Sequence, residues 1–207
     1  MSKIAAYKIS PPSVVRKLFP DVLWRINSEK PKLYLTFDDG PSEATIELLN
    51  CLNGYKVKAT FFCSGSNVEK NPVIFKLLTD SGMSIGNHTY SHKKAFFTSK
   101  KSYFEDIDKC SHFVNSKLFR PPYGQLFPWW MPELKKRFEK IVMWDIMSYD
   151  FDRKLSKYDV KDVINNHIRP GSIIVFHDKT DCFERTKYAL EKVIETAFEK
   201  GFEFDVL

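Results

Sequence analysis

Asp38 and Asp39 stand side by side at the end of an apolar, aromatic run, Leu33-Tyr34-Leu35-Thr36-Phe37, and Gly40-Pro41 follows at once. A β-prone run cannot continue through that pair, because Pro41 has no N–H to give a ladder and biases the residue before it away from helix. The run reads as a buried strand delivering two acids to its C-terminal end. Successive side chains on an extended backbone point in opposite directions, so the two acids meet different neighbours and suit different tasks, one as a metal ligand and one as a base. Alone, an Asp-Asp-Gly-Pro string reads equally well as a solvated turn.

Other residues extend the case. His88 and His92 in His88-Thr89-Tyr90-Ser91-His92 are four apart, which on a helical turn sets both imidazoles on one side within reach of one ion. With Asp39 they make a two-histidine, one-carboxylate set suited to zinc, or another divalent first-row ion, holding a nucleophilic water. Taken alone, such a pair also occurs on surfaces by chance. His177, beside Asp178 at the end of Ile173-Ile174-Val175-Phe176, could be a ligand, an acid catalyst or a satisfied core residue. Hydrolysis of an amide or ester needs a base for the water and an acid for the leaving group. Asp38 could serve as the base and His177 as the acid, with Asp150 available to hold the imidazole charged and Arg120 to orient Asp38. His112 and His167 fall within helical patterns and read as structural.

The elements that must carry these groups alternate. A helix is expected over 43–53, a strand over 59–63, a helix over 72–80, a strand over 84–88 and a helix over 101–117. Strands at 118–120, 141–145, 173–176 and 202–204 are interleaved with helices over 132–140, 158–168 and 184–200. Strand and helix in alternation imply a parallel sheet, and closure into a barrel is the natural architecture for this many units. Asp38-Asp39, His88 with His92, Arg120, Asp150 and His177-Asp178 all fall at or just past a strand's C-terminal end, the rim where such folds build sites.

Composition sets the outer limits. The chain has 207 residues, 43% hydrophobic and 15% aromatic, enough for one substantial core. Residues 1–30, with a short helix and a strand closing one side, read as an N-terminal packing segment, and 31–207 as a single catalytic domain. A net charge of +6 is spread among acids and reads as a solvated face, and the absence of a reader motif disfavours nucleic acid as a partner. Cys51, Cys63, Cys110 and Cys182 show no Cys-x-x-Cys spacing and read as reduced core thiols. No signal-like or membrane-spanning apolar run is visible, so the expected location is cytoplasmic.

Five blocks, taken in order, resemble those of the polysaccharide deacetylase (NodB-homology) family, carbohydrate esterase family four. They are Thr36-Phe37-Asp38-Asp39-Gly40, His88-Thr89-Tyr90-Ser91-His92, Arg120-Pro121-Pro122-Tyr123-Gly124, Trp144-Asp145-Ile146-Met147-Ser148-Tyr149-Asp150-Phe151 and Ile173-Ile174-Val175-Phe176-His177-Asp178. The resemblance implies a distorted (β/α) barrel of about seven parallel strands. It implies removal of acetyl groups, N-acetyl foremost, from an acetylated glycan or oligosaccharide of chitooligosaccharide type. The implied attack is by a water on a divalent metal, zinc foremost, with cobalt or nickel as alternatives. By motif position Asp38 is the base, Asp39, His88 and His92 are the ligands, His177 is the acid, Arg120 orients Asp38, Asp150 pairs with His177, and the Tyr123 backbone N–H joins in stabilising the oxyanion. Phe151 stands where the family usually has Trp and would alter one wall of the groove; Val175 stands for Leu and would enlarge the pocket for the acetyl methyl. Trp129-Trp130 would offer a sugar-stacking platform or core packing, with at least one buried. A non-sugar amide substrate and a catalytically silent glycan-binding module are the competing readings.

Overall fold

The computed structural model describes residues 9–27 and 30–207; the first eight residues, part of the stretch read for a leader, and residues 28–29 lie outside them. The strands are β1 (Lys32–Asp39), β2 (Thr60–Cys63), β3 (Ser84–Asn87), β4 (Leu118–Phe119), β5 (Lys140–Ile141), β6 (Ile146–Met147), β7 (Ile173–His177) and β8 (Glu203–Phe204). The helices are α1 (Ser13–Leu18), α2 (Ala44–Gly54), α3 (Gly65–Lys70), α4 (Pro72–Asp80), α5 (Lys100–Ser111), α6 (Met131–Lys135), α7 (Lys157–Asn165) and α8 (Phe183–Glu199). Seven parallel strands in the order β5-β4-β3-β2-β1-β7-β6 curl into a half-barrel, and β8 joins the lower end of β1.

The centre is apolar because β1 and β2 are buried along almost their whole length, which a strand covered on both faces requires. Phe37 is paired in register with Phe61 on one side and Phe176 on the other, and its ring stacks on theirs at 4.7 and 5.6 Å. The same register, one residue on, sets Asp38 between Phe62 and His177. Core packing thus fixes which strand ends meet at the rim.

Between β5 and β6 the sheet is open, and residues 9–26 lie across the opening. Leu23 donates to the Ile141 carbonyl and accepts from Met143, Ile26 donates to Gly171, and the Ile9 carbonyl accepts from Met147. Asp145 anchors this closure. Fully buried, it accepts from Arg16 (2.9 Å), from Arg169 through two nitrogens (2.9 and 2.6 Å) and from Ser172 (2.8 Å).

Several predicted boundaries move. The helix predicted over 101–117 ends at Ser111, where Phe113 and Val114 both donate to the Cys110 carbonyl and turn the chain. The helix predicted over 132–140 shrinks to Met131–Lys135. Of the strand predicted over 141–145 only Ile141 is kept, as the end of β5; the chain then crosses the opening with Asp145 drawn toward its arginines, and β6 follows at Ile146–Met147, outside the predicted range. Helix α3 has no counterpart in the sequence reading. The cysteines are all free; Cys63, Cys110 and Cys182 are buried and Cys51 is half-buried.

Asp145→Asn should lower unfolding free energy by about 2–4 kcal/mol, since it leaves two guanidinium groups facing a neutral amide. Burial works to raise this carboxyl, but Arg169, Ser172 and Arg16 hold it below its ordinary value. Its stabilisation is therefore full above the unfolded carboxylate range and lost as pH falls through the lower folded value. Urea titrations from pH 7 down to 3 should show the wild-type advantage over Asp145→Asn shrinking in acid.

Candidate active site

Arg120, just past β4, is fully buried. Its Nη1 donates to Asp38 Oδ1 at 2.6 Å and to Thr36 Oγ1 at 2.8 Å, Nη2 donates to the Met143 carbonyl at 2.9 Å, and the guanidinium lies 4.1 Å over the Phe62 ring. One carboxylate oxygen of Asp38 is thereby fixed. Its backbone carbonyl accepts from Asp178 N–H at 2.8 Å, which ties the end of β1 to the residue after β7.

Asp39 departs from the extended backbone, with φ at 80°. The strand alternation that would send adjacent acids to opposite faces is broken there, and both line the same cavity. The left-handed conformation is held by two bonds to the Asp39 carbonyl, from Ser64 Oγ at 3.0 Å and Asn67 Nδ2 at 2.8 Å. Among described residues with positive φ other than glycine, five of the six (Asp39, Thr89, His92, Tyr123 and Tyr149, against Lys56) are at or beside this site. Backbone strain is concentrated where the chemistry is placed.

The two histidines converge without a helix. Residues 88–92 form a loop, and positive φ at Thr89 (61°) and His92 (55°) turns the rings toward Asp39, so four-residue spacing finds the pair for a reason other than the one expected. His88 Nδ1 lies 2.7 Å from the Arg120 carbonyl, which can only accept, so the proton is on Nδ1 and Nε2 carries the lone pair. Burial lowers the His88 pKa to about 4, keeping the ring neutral. Asp39 Oδ1 is 3.6 Å from His88 Nε2 and 2.8 Å from His92 Nε2, and the candidate ligand atoms all lie within 4.8 Å of one another. A buried neutral imidazole with its free nitrogen aimed at a carboxylate and a second imidazole fits a divalent metal.

On the other side, His177 Nδ1 is 2.7 Å from Asp150 Oδ1 and its backbone N–H donates to Oδ2 at 2.8 Å. Ser148 and Thr186 complete the hydrogen bonding of Asp150. Burial opposes charge on the imidazole, yet Asp150, with Asp39 and Asp38 adding, outweighs it and raises the His177 pKa to about 9. The ring nitrogen left to pass a proton is Nε2.

The cavity between these groups measures about 270 Å³ and is lined by Tyr123, Gly124, Trp144, Met147, Phe151 and Lys179 besides the two acids and three histidines. The Tyr123 ring lies 4.6 Å from that of His92, and Phe151 meets His177 edge-on at 4.8 Å. Gly124 must lack a side chain: its φ is 63°, and a Cβ would come within 2.4 Å of Trp144. Val175, fully buried two residues below His177 on β7, is not among the lining residues. His112 and His167 lie outside the site.

Sequence reasoning gave no role to several participants. Lys179 pairs with Asp39 Oδ2 at 2.7 Å, leaving Oδ1 to face the histidines. Its place just past a strand end was the available signal. Asp178, buried and accepting from Ser42 (2.8 Å) and Thr45 (2.5 Å), organises the entrance to α2; burial raises its pKa to about 7. Ser64 lies just before α3 and Asn67 within it, and their type carried no signal.

A parallel half-barrel whose rim gathers a metal-ligand triad between an acid held by arginine and a histidine held by another acid defines a hydrolase of acyl groups. The chain belongs to the polysaccharide deacetylase family, carbohydrate esterase family four. The polysaccharide deacetylase model matches residues 25–135. A peptidoglycan-N-acetylglucosamine deacetylase of Bacillus cereus is 34% identical over 186 residues, covering 86% of this chain and 67% of its own. Another from the same organism is 30% identical over 193 residues, covering 88% and 89%. The solved peptidoglycan N-acetylglucosamine deacetylase Bc1960 superposes with a TM-score of 0.87 at 32% identity, covering 96% of this chain and 95% of that one.

Arg120→Met should cost about 3–5 kcal/mol of stability, because Asp38 would be left charged, buried and unpaired. Equilibrium unfolding of Arg120→Met beside the double variant Arg120→Met/Asp38→Asn checks this, the second change being expected to recover part of the loss.

Proposed function

We propose that this chain removes N-acetyl groups from an amino-sugar glycan, with N-acetylglucosamine of peptidoglycan as the substrate its relatives' names support. One observation carries the reading: the β1–β7 register sets Asp38 beside His177 on neighbouring strands, flanking the Asp39, His88 and His92 ligand set. A base and an acid on either side of one reacting centre is what amide hydrolysis requires.

Asp39, His88 and His92 would hold the metal, zinc foremost and cobalt or nickel as alternatives, since two imidazoles and a carboxylate suit all three. Such an ion supplies an activated water and positive charge for the developing oxyanion. Asp38, oriented by Arg120, takes the proton from the attacking water. His177, held by Asp150, delivers a proton from Nε2 to the departing amine. The Tyr123 N–H at the cavity edge serves as an oxyanion donor, a role worth about 3 kcal/mol in comparable sites. A silent binding module is disfavoured because every group these roles need is in place.

Acetate release from N-acetylglucosamine oligomers should be abolished by chelator and restored by zinc, cobalt or nickel; chelator-insensitive release would overturn the reading. Asp38→Asn should lose turnover and keep its metal, whereas His92→Ala should lose both; metal analysis of the two purified variants separates ligand from base. His177 acts in its protonated form, so activity falls as pH rises through its pKa. Asp150→Asn removes the main influence holding that pKa up, and the basic limb of the pH–rate profile should move toward acid.

A further inference from the structure

Beyond Tyr123 the cavity wall continues into an uncovered aromatic surface outside the five motif blocks. Lys94 Nζ lies 5.0 Å over the Tyr123 ring. Two residues on, the Phe96 N–H donates to Gln125 Oε1 at 3.2 Å and binds this loop to the wall. The Phe96 ring packs on Phe127 at 5.1 Å, and Phe127 stacks on Trp129 at 4.8 Å and 27°. Trp130 is buried beneath, edge-on to Phe127 at 4.8 Å, and anchors the cluster to the core. Phe96, Phe97 and Trp129 remain 54%, 84% and 68% exposed.

Resting on the deacetylase reading, we propose that this surface is a glycan-strand subsite that receives sugar rings several units from the one being deacetylated. Three properties select a glycan as occupant. The surface is continuous with the catalytic cavity through Tyr123, so a polymer whose one residue lies in the cavity must pass over it or away from it. Broad aromatic faces match the apolar C–H faces of pyranose rings, and rings fixed by one another and by Trp130 lose little freedom on binding. Lys94 supplies a donor and a positive charge at the junction, suited to hydroxyl or carboxylate substituents. Exposed aromatics on this scale are what a binding surface shows.

The prediction is a dependence on chain length. Trp129→Ala and, separately, Phe96→Ser should raise KM for the N-acetylglucosamine hexamer by about tenfold with kcat unchanged, while turnover of the dimer stays at the wild-type value. Equal losses on dimer and hexamer, or no change on the hexamer, would overturn the subsite. A second measurement separates this proposal from the reading beneath it: tryptophan fluorescence of the chelated protein, titrated with hexamer. Quenching that disappears in Trp129→Ala supports the subsite even if no glycan yields acetate, and absence of quenching refutes it. Quenching by phosphatidylcholine/phosphatidylglycerol vesicles in place of the hexamer would assign the surface to a membrane and overturn the proposal.

Discussion

The guanidinium of Arg120 is buried without any contact with water, and the centre of the molecule is built around satisfying it. Its charge is met by Asp38, three more of its N–H groups by Thr36 and two backbone carbonyls, and its flat face by Phe62. The partners come from β1, from β2 and from the chain after β5, so the ion pair is stable only when those parts and β4, which leads into Arg120, are all in place. A buried charge is costly unless every donor is met, which makes the arrangement cooperative. The Arg120 carbonyl also orients His88, and one residue therefore aligns both Asp38 and a member of the Asp39, His88 and His92 ligand set.

Around that centre the rim is held by backbone as much as by side chains. The left-handed residues at 39, 89, 92, 123 and 149 are conformations that a free chain avoids, and each brings a functional group or its neighbour into the cavity. The compensating bonds come from plain polar residues: Ser64 and Asn67 on the Asp39 carbonyl, Asn87 Oδ1 on the Thr89 N–H, and Asp106 on Ser91. These supports act on the backbone around the site, not on the ligand atoms themselves.

How much of this could be read from residues alone follows from where the determinants lie. The strands were legible because β1, β2 and β7 are apolar on both faces, and the acids and imidazoles were legible because they stand where those apolar runs end. Asp38, Asp39, His88, His92, Arg120, Asp150 and His177 all come together at the rim. What stayed hidden depends on tertiary contact. The histidine loop gives the same spacing as a helical turn, α3 is too short and polar to show a period, and β6 emerges only where Asp145 breaks an apolar run. Val175 illustrates the reverse, a position matched by motif whose side chain lies below the cavity. Lys179 looks like any surface lysine until β7 carries it to Asp39.

The segment that bridges the open side of the barrel is made long before the residues it pairs with. Residues 9–26 have their hydrogen-bond partners at 141–147 and 171, more than a hundred positions downstream. On a ribosome adding residues from the N-terminus, those partners do not exist until most of the polypeptide has emerged. Contacts of such long sequence separation form slowly, because a large loop must close before they are gained. Residues 9–26 therefore wait without these partners until β5, β6 and the start of β7 have been made, and their apolar side chains, Phe19 and Val22 among them, stay uncovered for that interval.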